Sequence, residues 1–274
     1  MNTTEIAFCN GTFESRDLCA SFPTSDDPIL YEVIRVIEGI PLFLEDHLSR
    51  MHNSALSLSF IASLPDKEEI SSIIAALILK NNRQTGNIQI NVVLTDGKPK
   101  LYVFFIPFHY PSQDQYISGI KVDYLFAERK NPSAKIIQKN LRERADEMIK
   151  TKQLYEVLLV DRFEMVTEGS RSNLFIVSND ALYTAPLSEV LGGITRTKII
   201  DIALSQNIPV YEKQWKYQDI LTKADALFIT GTSPKVLSVV QCCSRTFPPN
   251  HPIISKIATA YNQLIASYIC KTKG

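Results

Sequence analysis

The chain has 274 residues, 45% of them hydrophobic and 21% charged, which is enough for a sizeable core under an ordinary water-facing surface. Lys+Arg and Asp+Glu both number 29, so the formal net charge is zero, and the basic face or tail of a nucleic-acid binder is not found. No apolar run approaches membrane-spanning length; the longest, ISSIIAALILK from Ile70 to Lys80, reads as a core helix, so neither a nucleic acid nor a membrane is an expected partner.

The opening residues, MNTTEIAFCNGTFESRD, have no basic start and no apolar centre, so no secretion signal is read there. Five cysteines (Cys9, Cys19, Cys242, Cys243, Cys270) are an odd number with no CxxC pair. That argues against a disulfide scaffold and against a metal site, and a reducing cytoplasm is the expected location.

In chain order, Glu5–Asn10 before Gly11 reads as a strand and turn. The polar, Pro-bearing stretch up to Pro28 reads as a loop. Ile29–Ile37 is β-rich, with Tyr31, Val33 and Arg35 on one face and Glu32, Ile34 and Val36 on the other. Glu38-Gly39 turns it into IPLFL as a hairpin. Helices are expected over Glu45–Leu58, where His47 and Arg50 are surface neighbours, and over Asp66–Asn81. Asn87–Thr95 and Lys100–Ile106 pair around Asp96-Gly97.

Pro107–Ser118 reads as a linker, giving a small domain over 1–112, a connection at 113–118 and a larger domain over 119–274. There, a strand at Ile120–Phe126 leads through ERKNPSAK to a helix at Ile136–Thr151. Val157–Val160 with Glu164–Thr167, and Asn173–Val177 with Leu182–Thr184, form hairpins. A helix at Thr195–Gln206, strands at Val210–Glu212, Ala226–Ile229 and Val236–Val240, and a helix at Ile253–Cys270 complete the chain. Mixed hairpins and helices in both halves indicate α+β domains and not a doubly wound parallel sheet.

A few residues are able to carry chemistry. Glu168 ends a strand before Gly169-Ser170: either a surface carboxylate or one aimed at a protonated ring nitrogen. Gly192-Gly193-Ile194-Thr195-Arg196 runs into a helix, where glycines allow close approach and free N–H groups favour a phosphate. The plain alternative there is a turn with Thr195 as an N-cap. Thr230-Gly231-Thr232-Ser233 is a second turn rich in donors, and Arg50 has the bidentate geometry for a phosphate. Lys135 and Lys139 are both nucleophile candidates, provided one of them is desolvated.

In order, YEVIRV, HLSRM, KIIQKNL, VTEGSRSNLFIV, LGGITR and FITGTS resemble the fold-type IV pyridoxal-phosphate enzymes, over almost the whole chain from NGTF at Asn10 to Val240. That family includes branched-chain and D-amino-acid aminotransferases and aminodeoxychorismate lyase. The resemblance implies a small α/β sandwich domain, a larger pseudo-barrel α/β domain, a homodimer, and pyridoxal 5′-phosphate as cofactor. It implies Lys135 as the Schiff-base lysine and catalyst, since Leu141 and Tyr155-Glu156 follow it at the family's spacing and Lys139 lacks this fit. It further implies Glu168 on the pyridine nitrogen, and Arg50, Gly193, Ile194, Thr195 and Thr232 around the phosphate. Tyr31, Arg35, Thr232 and Ser233 would face the substrate. The implied activity moves an amino group between a small amino acid, branched-chain-like or of the D series, and a 2-oxo acid. A lyase releasing pyruvate and p-aminobenzoate, and a non-catalytic ligand-binding descendant, are the alternatives.

Two segments depart from the family. Asp26-Asp27-Pro28 replaces a glycine-rich approach to the YEVIRV strand, and Asp96 stands where relatives often carry a carboxylate-gripping arginine. Arg35 is the expected substitute for that arginine. Asn140 replaces a tyrosine found in some relatives, and Arg171 inside EGSRSN is either a surface residue or an extra cation near the ring.

Overall fold

A computed structural model describes residues 5–17, 29–58, 64–95 and 98–274. Asp26-Asp27-Pro28 and Asp96-Gly97 lie outside the described residues. The chain forms two compact units: residues 1–109, 134–137 and 265–274 make the first, and residues 110–133 and 138–264 the second.

The first unit is built on β1 (Ile6–Cys9), β2 (Thr12–Ser15), β3 (Leu30–Ile37), β4 (Ile40–Pro41), α1 (Leu44–Ser57), α2 (Lys67–Lys80), β5 (Gly86–Thr95) and β6 (Lys98–Ile106). Among the described residues the strands form one sheet in the order β2-β1-β6-β5-β3-β4. Period-two alternation makes it two-sided. Ile34, Val36, Ile88, Ile90, Val103 and Phe105 pack under α1 and α2, while Ala7, Cys9, Val93, Tyr102 and Phe104 cluster apart from them. The α2 residues Ile70, Ile73, Ile74, Leu77 and Ile78 recur at helical spacing and are buried, and Asp66 caps that helix by accepting from Glu69 N–H at 2.7 Å. β2 corrects the loop expectation: its residues are exposed or half-buried, so no hydrophobic alternation marks them, and pairing with β1 makes the strand. Cys9 is disulfide-bonded, which an odd cysteine count does not forbid.

The second unit runs through α3 (Gln113–Ser118), β7 (Ile120–Phe126), α4 (Lys139–Lys152), β8 (Glu156–Val160), β9 (Met165–Gly169), β10 (Asn173–Ser178) and β11 (Ala181–Thr184). It continues through α5 (Ile194–Ser205), β12 (Val210–Glu212), β13 (Trp215–Lys216), α6 (Tyr217–Lys223), β14 (Ala226–Gly231), β15 (Lys235–Cys242) and β16 (Arg245–Thr246). The closing helix α7 (Pro252–Lys273) ends in the first unit. The sheet order is β12-β11-β10-β14-β15-β7-β8-β9-β13. Val166 of β9 and Leu174 of β10 sit far apart along that path, yet share one buried cluster with Val122, Leu158, Ile229 and Val239. A flat sheet would separate them; the sheet is curled into a half-barrel around this core. With the first unit's separate smaller sheet this is the α+β, fold-type IV architecture expected above.

Three more local expectations are corrected. Gln113–Ser118, read as linker, is helical because Ser112 and Gln115 form a reciprocal capping box. The short β13, α6 and β16 have too few residues to show a period. Helix α4 begins at Lys139 and not at Ile136, since the segment before it is bound to β3: Leu30 bridges Ile136, and Tyr31 N–H donates to the Lys135 carbonyl at 3.1 Å.

Candidate active site

In the first unit, β3 and α1 present a buried ionic cluster. Glu32 is fully buried. Its carboxylate accepts from Arg50 Nε at 2.8 Å and Nη2 at 2.5 Å, and from His47 Nδ1 at 2.7 Å. The three-residue spacing of His47 and Arg50 puts both over β3. Burial alone would raise the Glu32 pKa; the Arg50 charge and the bonds from His47 and Arg50 outweigh it and hold the carboxyl at about 2. Burial pushes His47 down more strongly than the Glu32 bond lifts it, so its imidazole is neutral near neutral pH.

Lys135 lies beside this cluster. Its backbone N–H donates to Ser54 Oγ at 3.2 Å, its carbonyl is held by Tyr31, and its Nζ stands 4.7 Å from the Tyr31 ring centre. Lys135 is half-buried, whereas Lys139 is exposed on the first turn of α4. The first unit thus brings together Lys135, Tyr31 and Arg50. Arg35 lies on β3 opposite Asn87 of β5, and its carbonyl accepts from Leu42 N–H.

In the second unit, Glu168 ends β9 and is 2% exposed. Arg129 Nε donates to its Oε1 at 2.7 Å, while Asn173 Nδ2 and the Leu191 N–H each donate to Oε2 at 3.3 Å. A lone surface carboxylate is excluded by that burial. The turn behind it is held by Glu156, which accepts from Ser170 Oγ at 2.6 Å, Ser172 Oγ at 2.9 Å and Arg171 N–H at 3.1 Å. Arg171 itself points to the surface and pairs with Asp146, which decides between the two readings of that residue.

Leu191 leads into Gly192-Gly193 and the start of α5. Gly193, not Thr195, is the N-cap, and it brings no side-chain cap; the first turn holds no acidic residue. Its N–H groups and positive dipole end therefore favour an anion. A Cβ on Gly193 would stand 2.0 Å from Asn173 Oδ1, so any side chain there would have to displace the Asn173 amide. Thr195 is buried against Tyr261, oxygen to oxygen 3.3 Å, and Arg196 anchors the helix to the Ala185 carbonyl and Glu212 at 2.9 and 2.8 Å. Thr230 faces Asn173 across the ladder, and its buried hydroxyl has no partner among the described residues. Thr232 and Ser233 follow in the half-buried turn between β14 and β15.

Glu168, Gly193, Ile194 and Thr195 are thus joined through Asn173 and Leu191. Residue-by-residue reading of the sequence missed Arg129, Asn173, Glu32 and Glu156, because a polar residue carries no signal until its partner is known. Traces of them were present: the alternation of β3 put Glu32 on the same face as Ile34 and Val36, Glu156 belongs to the Tyr155-Glu156 pair, and Asn173 lies inside VTEGSRSNLFIV.

Residues 29–242 match the family described as amino-transferase class IV. The chain belongs to that family. Over 262 residues this class IV chain is 28% identical to the D-alanine aminotransferase of Bacillus licheniformis, covering 89% of each. Over 259 residues it is 30% identical to a Methanocaldococcus jannaschii protein provisionally named a branched-chain-amino-acid aminotransferase, covering 87% of this chain and 88% of the relative. The solved branched-chain aminotransferase of Thermoproteus uzoniensis with norvaline superposes with a TM-score of 0.83 over 97% of this chain and 96% of that one; at 22% identity this is a likeness of fold.

Class IV aminotransferases are pyridoxal 5′-phosphate enzymes. The residues of this chain fit such a group. Glu168 is a buried carboxylate fixed by donors from Arg129, Asn173 and Leu191, a group of the right chemistry to face a protonated ring nitrogen. The glycine-opened start of α5 and the unpartnered Thr230 hydroxyl suit an anion. Among the described residues no His, Cys, Asp and Glu group is arranged to hold a metal, and no helix is long and apolar enough to cross a membrane.

Proposed function

We propose that the protein is a pyridoxal-phosphate aminotransferase exchanging an amino group between a small amino acid, of the D series or branched-chain, and a 2-oxo acid. The observation that carries the reading is the buried Glu168 carboxylate tied to a glycine-opened helix start, in a chain of the class IV family.

The bound cofactor supplies an electron sink for the substrate α-carbon. Lys135 is the attachment point and the base that takes a proton from the substrate α-carbon, then the acid that returns one. Glu168 holds negative charge against the ring nitrogen, so that nitrogen keeps its proton. Arg50, Gly193, Ile194, Thr195 and Thr232 bind the phosphate. Glu32 fixes the Arg50 guanidinium for that task by a two-pronged bond. Tyr31, Arg35, Thr232 and Ser233 orient the substrate. The assembly is a homodimer, with an expected solution mass about twice 30.9 kDa.

Turnover decides between the readings. With 2-oxoglutarate or pyruvate as acceptor, one stereochemical series of alanine, valine or leucine should yield its keto acid, and Lys135→Ala should abolish this. Release of pyruvate and p-aminobenzoate from aminodeoxychorismate, without amino transfer, would make the protein a lyase. Cofactor uptake without either reaction would make it a binding descendant.

A further inference from the structure

Asn173 opens β10 and is 6% exposed. Its Nδ2 serves two acceptors on different segments: Glu168 Oε2 at 3.3 Å and the Leu191 carbonyl at 2.9 Å. The Leu191 N–H returns a bond to the same Glu168 oxygen at 3.3 Å. On its other side, Asn173 Oδ1 fills the space that a Gly193 side chain would need. Its backbone pairs with Thr230. One amide therefore touches the strand end that carries Glu168, the loop before α5, and the N-cap of α5.

We infer that Asn173 is a positioning residue that locks the Glu168 carboxylate to the 191–193 loop, so that one side chain holds the group meeting the ring nitrogen and the group meeting the phosphate in fixed relation. This rests on the cofactor reading proposed above. A glutamate side chain at a strand end has several rotatable bonds; two N–H groups converging on Oε2, with Arg129 on Oε1, restrict its orientation. The amide is suited to this because its nitrogen donates to both Glu168 and the Leu191 carbonyl while its oxygen packs against Gly193. Alanine would leave both the Leu191 carbonyl and the Glu168 oxygen short of a donor. Aspartate would keep the shape but set a second carboxylate against Glu168.

The test uses Asn173→Ala, Asn173→Asp, Glu168→Gln and the Asn173→Ala/Glu168→Gln double variant, loaded with pyridoxal 5′-phosphate or with pyridoxal. The readouts are the release rate of the chromophore, its absorbance titration with pH, and the melting temperature without cofactor. Asn173→Ala should speed pyridoxal-phosphate release on the order of tenfold, the scale set by leaving buried polar groups unpaired. It should shift the chromophore titration in the same direction as Glu168→Gln. The double variant should lose less than the product of the two single effects, and pyridoxal, lacking the phosphate, should respond less. Independent, multiplying effects, or a lowered melting temperature with an unmoved titration, would reduce Asn173 to an ordinary structural amide. Should the alanine variant fail to fold, the shape-preserving Asn173→Asp decides: release as slow as wild type overturns the inference. A wild-type protein that takes up no pyridoxal phosphate overturns the underlying reading and the inference with it; normal wild-type uptake with unaffected Asn173 variants overturns the inference alone.

Discussion

Glu32 shows what one buried carboxylate does when its partners are within bonding distance. Its folded pKa, about 2 against an ordinary 4.5, is depressed, so its contribution to stability is present above pH 4.5 and is lost as pH falls towards 2. The shift corresponds to about 3 kcal/mol. His47 is also depressed, so it too stabilises the fold above its unfolded value of 6.5 and loses that contribution as pH falls. Urea midpoints compared across pH for wild type and Glu32→Gln should converge between pH 4.5 and 2; parallel curves would contradict the assignment. At neutral pH Glu32→Ala should cost about 3–5 kcal/mol, because it removes the buried anion that offsets the Arg50 charge. Arg35 tests the substrate side of β3. Arg35→Ala should raise KM for carboxylate-bearing amines far more than for neutral amines, and equal effects would remove Arg35 from the substrate list.

At the scale of elements, stability should follow the local devices that start and turn them. Asp66→Ala removes the cap of α2 and should cost about 1 kcal/mol by chemical denaturation. Gly119 has φ of 75°, and a Cβ there would stand 2.4 Å from Val240 Cγ1 and 2.9 Å from the Ser238 carbonyl. Gly119→Ala should therefore cost more than about 1–2 kcal/mol, the strain of the left-handed region plus the clash; a smaller loss would mean that β15 yields freely. Elements with a sustained period were legible in the sequence: β3, α2, the β5–β6 hairpin and α5 lie within a residue or two of their expected bounds. β2, β13 and β16 were not, because pairing with a neighbour creates them and their own side chains show no pattern. The start of α4 was misplaced for a similar reason: the bonds of Lys135 and Ile136 to β3 override a helix-compatible local sequence.

For the whole molecule, the balance of 29 basic and 29 acidic residues gives a pI near 6.9, so charge repulsion between copies is weakest around neutrality. The second virial coefficient should pass through a minimum near that pH; a monotonic trend would point to an uneven surface field. The family was legible because its ordered motifs lie on both units, from Tyr31 to Ser233. The supporting residues were not: Arg129, Asn173 and Glu32 gain meaning only from the carboxylates and carbonyls that folding brings to them. On the proposed reading, Lys135 carries the cofactor. Borohydride reduction of the protein loaded with pyridoxal 5′-phosphate, followed by peptide mass mapping, tests it most directly. A phosphopyridoxyl adduct on Lys135, absent from Lys135→Ala, is the predicted result; an adduct on Lys139 instead, or no adduct on a protein that has taken up the cofactor, would contradict it.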